Sequence, residues 1–89
     1  MSGRLGVKPL GANERKAVLL VELYQRERGQ GPPWALIRDS LGVDHFKLAM
    51  IMIGLRRKGC LEFSDDGGPG STRATAAGVA LALKQGRAK

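Results

Sequence analysis

The chain has 89 residues, of which 43% are hydrophobic and 26% are charged, and it carries a formal net charge of +7. This length suits one small domain with one hydrophobic core and is too short for two. No apolar run approaches the roughly 18 residues that a membrane span needs, and no secretory signal is visible. The single cysteine, Cys60, excludes an internal disulfide. We therefore expect a soluble cytoplasmic protein.

The positive charge lies mostly at the two ends of the chain. Residues 12–66 hold nine bases and eight acids, whereas residues 1–11 hold two bases, residues 67–89 hold four, and neither end holds an acid. A nearly neutral core with basic extensions is typical of a protein that contacts a polyanion such as nucleic acid. Basic ends that only maintain solubility are the alternative that charge alone leaves open.

Two helices are predicted in the first half of the chain. Residues 1–12 contain three glycines and a proline without apolar periodicity, which predicts a flexible basic arm that ends where Asn13 can cap a helix. Over residues 14–28 apolar side chains recur at helical spacing. The segment "GQGPP" ends this helix, and Pro33 can begin a short second helix that Gly42 closes.

The third helix has the clearest boundaries. Asp44 can accept hydrogen bonds from the free amides of a first turn, and Val43 before it can pack on Leu48 one turn later. Gly59 follows a basic last turn and can adopt the left-handed conformation that ends a helix. These signals predict a helix over residues 44–58.

A β hairpin and a fourth helix are predicted after Gly59. Residues 60–64 alternate, which places Leu61 and Phe63 on one side and Cys60 with two polar residues on the other. The segment "DDGGPG" predicts a turn, and "STRAT" predicts the antiparallel return strand. Thr75 can then cap a last helix over "AAGVALALKQG".

Three segments, "IRDSLGVD", "LAMIMIGLRRKGCLEF" and "RATAAGVALAL", carry a family resemblance through their order and spacing. Together they resemble the winged helix-turn-helix superfamily of prokaryotic transcription regulators. The resemblance covers residues 13–85, between the arm at 1–12 and a basic tail at 86–89. It implies a mainly α fold with a small antiparallel β hairpin (α+β), in the order helix, helix, helix, strand, strand, helix, and binding to double-stranded DNA.

The helix over residues 44–58 has two apolar faces. At 100° per residue, the expected core face consists of Leu48, Ile51, Met52 and Leu55. The opposite face consists of Phe46, Met50, Ile53 and Arg57. Three explanations of this second face remain open: other elements cover it, it binds a protein, or it faces DNA and works by shape, apolar contact and phosphate charge. Gly54 within the helix predicts another backbone close by.

The resemblance implies that DNA is contacted by the helix at 44–58 and by a wing at 60–75, as in a transcriptional or accessory regulator. Phosphate attraction would supply most of the affinity. Lys47 and Arg57 are the candidates for direct reach to DNA. The complete set of predicted DNA-binding residues is Arg4, Lys8, Lys47, Arg56, Arg57, Lys58, Arg73, Lys84 and Arg87.

The apolar residues of the outer face fit two functions. Phe46 and Met50 can contact thymine methyl groups in a DNA-binding protein. In the alternative function, a protein interaction module that keeps the winged fold, Phe46, Met50 and Ile53 bind a partner protein. We also expect a homodimer.

Other conspicuous residues have simpler interpretations. Asp65 and Asp66 would repel phosphates, which argues against deep insertion of the wing into DNA. Trp34, after a double proline, is interpreted as a core anchor. His45 and Cys60 lack further ligands at a suitable spacing and cannot form a nucleophile pair, so we predict no enzyme activity, no metal and no cofactor.

Overall fold

A computed structural model describes residues 9–64 and 70–87, with side chains described for 9–64 and 70–84. This part of the chain forms four helices and one two-stranded antiparallel sheet. The elements are α1 (Ala12–Arg28), α2 (Trp34–Leu41), α3 (His45–Arg57), β1 (Leu61–Glu62), β2 (Arg73–Ala74) and α4 (Ala76–Arg87). The predicted α+β class and the predicted order of elements are confirmed. The turn at residues 65–69 lies outside the described residues.

The start of α1 differs from the prediction. Asn13 was expected to cap this helix, but the helix already begins at Ala12, and Gly11 is the residue that precedes it. The Glu14 carboxylate accepts a hydrogen bond from the Gly11 backbone N–H at 2.9 Å. A side chain inside the first turn therefore satisfies one of the free amides at the helix start.

The ends of α2 and α3 agree with the local signals. Pro33 precedes the first residue of α2, and Gly42 ends it with a φ of 71°. Asp44 caps α3 by accepting a hydrogen bond from the Lys47 backbone N–H at 2.7 Å. Gly59 follows α3 with a φ of 76°, the left-handed conformation that glycine adopts without steric cost.

The hairpin is short, and one of its residues faces the opposite way from the prediction. Leu61 pairs with Ala74 and Glu62 with Arg73 in antiparallel register. Cys60 was expected on the same side as Glu62, but Cys60 is buried and only 2% exposed. It lies before the paired strand, where its backbone carbonyl accepts a hydrogen bond from the Thr75 N–H at 3.1 Å. The alternation therefore begins only at residue 61.

α1 lies at the centre of the fold and contacts α2, α3, β2 and α4. Its buried residues, Ala17, Val18 and Val21, belong to one core cluster with residues from the other elements. Leu10, within the predicted arm, is also buried in this cluster. The hydrophobic core thus begins before α1.

The hairpin is attached to α1 and α4 by specific hydrogen bonds. The Gln25 side chain of α1 accepts from the Ala74 N–H at 3.2 Å. The Thr75 hydroxyl donates to the Gly59 carbonyl at 2.7 Å and accepts from the Gly78 N–H at 2.9 Å, so it caps α4 as predicted.

Among the helices described here, none combines the length and the apolar composition needed to cross a membrane.

Candidate functional site

The inner face of α3 is the core face that the sequence predicted. Leu48, Met52 and Leu55 are almost completely buried, and Ile51 is 8% exposed. The Asp44 cap fixes where the helix begins, and the helical spacing of these four apolar residues sets which side of the helix turns inward. The inner face therefore holds α3 on the rest of the molecule and leaves the opposite face free to contact something else.

The outer face of α3 is open to solvent. Phe46 is 74% exposed, Met50 58% and Ile53 39%. We refer to these three residues as the outer stripe. The described helices do not cover this face, so the explanation in which other helices pack on both sides of α3 is wrong for the described residues. Residues 1–8 of the basic arm, the other cover that was considered, lie outside them. A contiguous exposed stripe of large apolar side chains marks a binding surface more often than a monomer surface.

Basic side chains border the outer stripe. Arg57 continues it at the C-terminal end, and Lys47 lies on its flank. Both side chains are exposed, and neither forms an ion pair with any residue in 9–64 or 70–84. No acidic residue occurs within α3 itself. The predicted direct DNA contacts are thus accessible.

Arg56 lies beside an aromatic pair that joins three segments of the chain. Its guanidinium is 4.5 Å from the centre of the Phe63 ring, and Phe63 packs edge-on against Trp34 at 5.1 Å between ring centres. The Trp34 Nε1–H donates to the Thr72 hydroxyl at 3.0 Å. Trp34 is half-buried against the core, which agrees with its predicted role as an anchor. This arrangement holds the hairpin against α2 and α3.

Lys58 is engaged inside the molecule. Its ammonium lies 2.8 Å from the Glu14 carboxylate, with 22% and 20% of the two side chains exposed, and it also contacts the Pro9 carbonyl at 3.5 Å. Burial by itself raises the pKa of Glu14, but the hydrogen bonds from Lys58 and from the Gly11 N–H, with the charge of Lys58, bring this pKa below its ordinary value. Lys58 therefore ties α1 and the segment before it to the end of α3.

The other predicted DNA-binding residues are dispersed. Arg73 is exposed on β2 opposite Glu62, and Lys84 is exposed on α4. Arg4, Lys8 and the side chain of Arg87 lie outside the described residues, as do Asp65 and Asp66. The structure brings together Lys47, Arg57 and the outer stripe on a single face of α3.

Among the residues that the structure describes, neither His45 nor Cys60 takes part in a metal-ligand cluster. His45 is exposed at the start of α3, whereas Cys60 is buried directly before β1, with its backbone close to Gly78 of α4. Burial raises the pKa of the Cys60 thiol, although the charge of Lys58 acts in the opposite direction. Within residues 9–64 and 70–84, no group of three or more His, Cys, Asp or Glu side chains is placed to hold a metal ion.

Close backbone approaches occur at glycines that the sequence did not single out. Within the described residues the expected backbone beside Gly54 is absent, since the nearest of their atoms to an added Cβ is the Glu14 Oε2 at 3.4 Å. An added Cβ would instead overlap the backbone of Thr72 at Gly31 and the backbone of Cys60 at Gly78. A glycine in the first turn of an alanine-rich helix is the signal that could have identified Gly78.

An arginine of α1 also has a structural role that the sequence did not reveal. The Arg15 Nε–H donates to the Ala82 carbonyl at 2.8 Å and so joins α1 to α4.

No model of a known protein family matches this chain, and no curated protein matches it. Its function is therefore inferred from its own residues.

Proposed function

We propose that this chain binds double-stranded DNA as a small transcriptional or accessory regulator, with α2 and α3 as a helix-turn-helix and residues 60–75 as a wing. The outer face of α3 is the observation that supports this function most. It is open to solvent, it has exposed bases at Lys47 and Arg57, and it contains no acidic residue. Such a face suits the major groove of DNA, which is wide enough to admit one α-helix.

Phosphate attraction supplies most of the affinity in this proposal. Lys47, Arg57 and Arg73 are exposed bases without an ion pair to the described residues, so their charge is available to phosphates. Lys58 has a different role, because Glu14 already compensates its charge and the pair stabilises the fold. The arm and the tail add bases that act at longer range.

The test is fluorescence anisotropy of a labelled duplex of random sequence at two salt concentrations. The logarithm of the affinity should fall linearly with the logarithm of the salt concentration. Arg57→Glu should weaken binding by about tenfold at low salt. Lys16→Glu is the matched control, because it makes the same charge change at an exposed position of α1. Equal effects of the two variants, or no binding at low salt, would contradict the proposal.

A protein interaction module is the second candidate function, and the apolar character of the outer stripe favours it. Exposed Phe, Met and Ile side chains that lie together are typical of the centre of a protein interface. The partner would be another protein or a second copy of this chain. Sedimentation without DNA tests the second copy, since Met50→Glu should convert a dimer into a folded monomer. A wild-type chain that is monomeric at every concentration would exclude the homodimer.

A further inference from the structure

We propose that the outer stripe recognises the C5-methyl groups of pyrimidines in the major groove of DNA. This inference rests on the proposed DNA binding. These methyl groups belong to thymine and to 5-methylcytosine, which place the same apolar group at the same edge of the base. The side chains in contact are those of Phe46 and Met50, with Ile53 one turn further along α3. The basic residues beside them, Lys47 and Arg57, match a polyanion and identify DNA as the occupant of this face.

The middle of the outer face has no group that can form a hydrogen bond with a base. Ala49, Met50, Ile53 and Gly54 lack polar side-chain atoms, apart from the weakly accepting sulfur of methionine, and α3 contains no Asn, Gln, Ser or Thr. In the major groove, an unmethylated C·G pair presents hydrogen-bond donors and acceptors, and its only apolar surface there is the C–H edge of cytosine. Apolar side chains pressed against those groups would leave them without partners, which is unfavourable. A methyl group offers the stripe an apolar surface to bury.

The dimensions of the stripe limit how many base pairs it can read. Phe46 and Ile53 are separated by about 10 Å along the helix axis at 1.5 Å per residue. Base pairs follow one another at about 3.4 Å, so the stripe extends over about three of them. One buried methyl group changes affinity by about fourfold, so the loss of two contacted methyl groups should weaken binding by at least about tenfold.

The test compares four duplexes of equal length whose repeating sequences present the methyl group in every register. The first pair is alternating dA and dT against alternating dA and dU, which removes the methyl groups of thymine. The second pair is alternating dG and 5-methyl-dC against alternating dG and dC, which adds methyl groups to cytosine. The wild-type chain should bind the methylated member of at least one pair about tenfold more tightly. A preference within only one pair identifies thymine or 5-methylcytosine as the source of the methyl group.

A variant links this preference to the stripe. In the double variant Phe46→Ala, Met50→Ala the preference should fall to about one, while salt-dependent binding persists through the basic residues. Leu23→Ala is the matched control, because Leu23 is 47% exposed on α1 and its loss should leave the preference unchanged. Circular dichroism of each variant checks that it is folded.

Two failures are distinguishable. Salt-dependent binding of all four duplexes with equal affinity would overturn the methyl reading and leave the proposed DNA binding intact. Absence of binding to every duplex at low salt would overturn both. A preference that survives the double variant would also overturn the assignment to the outer stripe.

Discussion

Arg56, Arg57 and Lys58 follow one another in the sequence, yet their side chains have three different environments. Successive residues of a helix point 100° apart, so Arg56 lies beside Phe63, Arg57 is exposed at the C-terminal end of the outer stripe, and Lys58 pairs with Glu14. A run of like charges is therefore not one functional unit. Of the three, Arg57 has the position most suited to DNA, and Lys58 has the most structural role.

The ion pair of Lys58 and Glu14 makes part of the stability depend on pH. The folded pKa of Glu14 is lowered from its ordinary value of 4.5, so its ionised form stabilises the fold fully above that pH. The stabilisation is lost as the pH falls through the lowered folded pKa. We expect Glu14→Gln to reduce the free energy of unfolding at pH 7 by about 1 kcal/mol, and by less near pH 3. Urea unfolding at both pH values measures this difference.

Glu27→Gln is the control for this experiment, because Glu27 is exposed on the same helix and forms no ion pair with the described residues. It should change the free energy of unfolding little at either pH. A loss in Glu14→Gln that is the same at both pH values would show that packing, and not the carboxylate charge, is responsible.

Gly54 and Gly78 are both inside helices but should respond in opposite ways to alanine. Alanine is favoured over glycine within a helix by about 1 kcal/mol. At Gly54 the added methyl group meets only the Glu14 carboxylate at 3.4 Å, so Gly54→Ala should be neutral or stabilising. At Gly78 it would overlap the Cys60 backbone, so Gly78→Ala should destabilise by about 2 kcal/mol or more. Thermal unfolding of the two variants measures both effects. Equal shifts in melting temperature would contradict the close packing of α4 against the Cys60 backbone.

At the scale of the elements, signals carried by a few neighbouring residues predicted the structure well. Pro33, Gly42, Asp44, Gly59 and Thr75 were read as the ends of helices, and all five have that role. Such signals are predictable because the hydrogen bonds that satisfy a helix end are made within one turn of it.

Features that depend on contacts between distant parts of the chain could not be predicted from such local signals. Cys60 is buried where α4 packs against its backbone, and Leu10, within the predicted arm, is buried in the core ahead of α1. The two faces of α3 followed from its periodicity, but periodicity does not determine which face another element covers. The exposure of the outer stripe needed the three-dimensional structure.

The hairpin is held in place mainly by contacts outside its own strands, since its described part has two pairs of opposed residues. The hydrogen bond from Trp34 to Thr72 connects it to α2, and Thr72 is only 2% exposed. Trp34→Phe should lower the free energy of unfolding by about 1–2 kcal/mol, because it leaves the buried hydroxyl without this donor. Adding Thr72→Val should recover part of that loss. Urea unfolding of both single variants and the double variant measures the coupling, and strictly additive losses would contradict it.

At the scale of the whole molecule, the excess positive charge lies mostly toward the two ends of the chain. The middle of the chain is nearly neutral, and its acids include Glu14 and Glu22, which pair with bases of the described structure. The excess of +7 therefore comes largely from the arm, the tail and the segment after the hairpin turn. Positive charge toward the ends of the chain can attract a polyanion without placing like charges close together in the core.

The salt dependence of DNA binding measures how much the arm contributes. Each phosphate contact adds about 0.9 to the slope of log affinity against log salt concentration. Arg4→Gln with Lys8→Gln should therefore reduce the slope by about 2 and leave the unfolding midpoint unchanged, because the described core begins at Leu10. Lys16→Gln removes one exposed base from α1 and should leave the slope unaltered. If the arm variant kept the wild-type slope, the bases that meet phosphate would be confined to α3, the hairpin and the tail, and the arm would serve solubility alone.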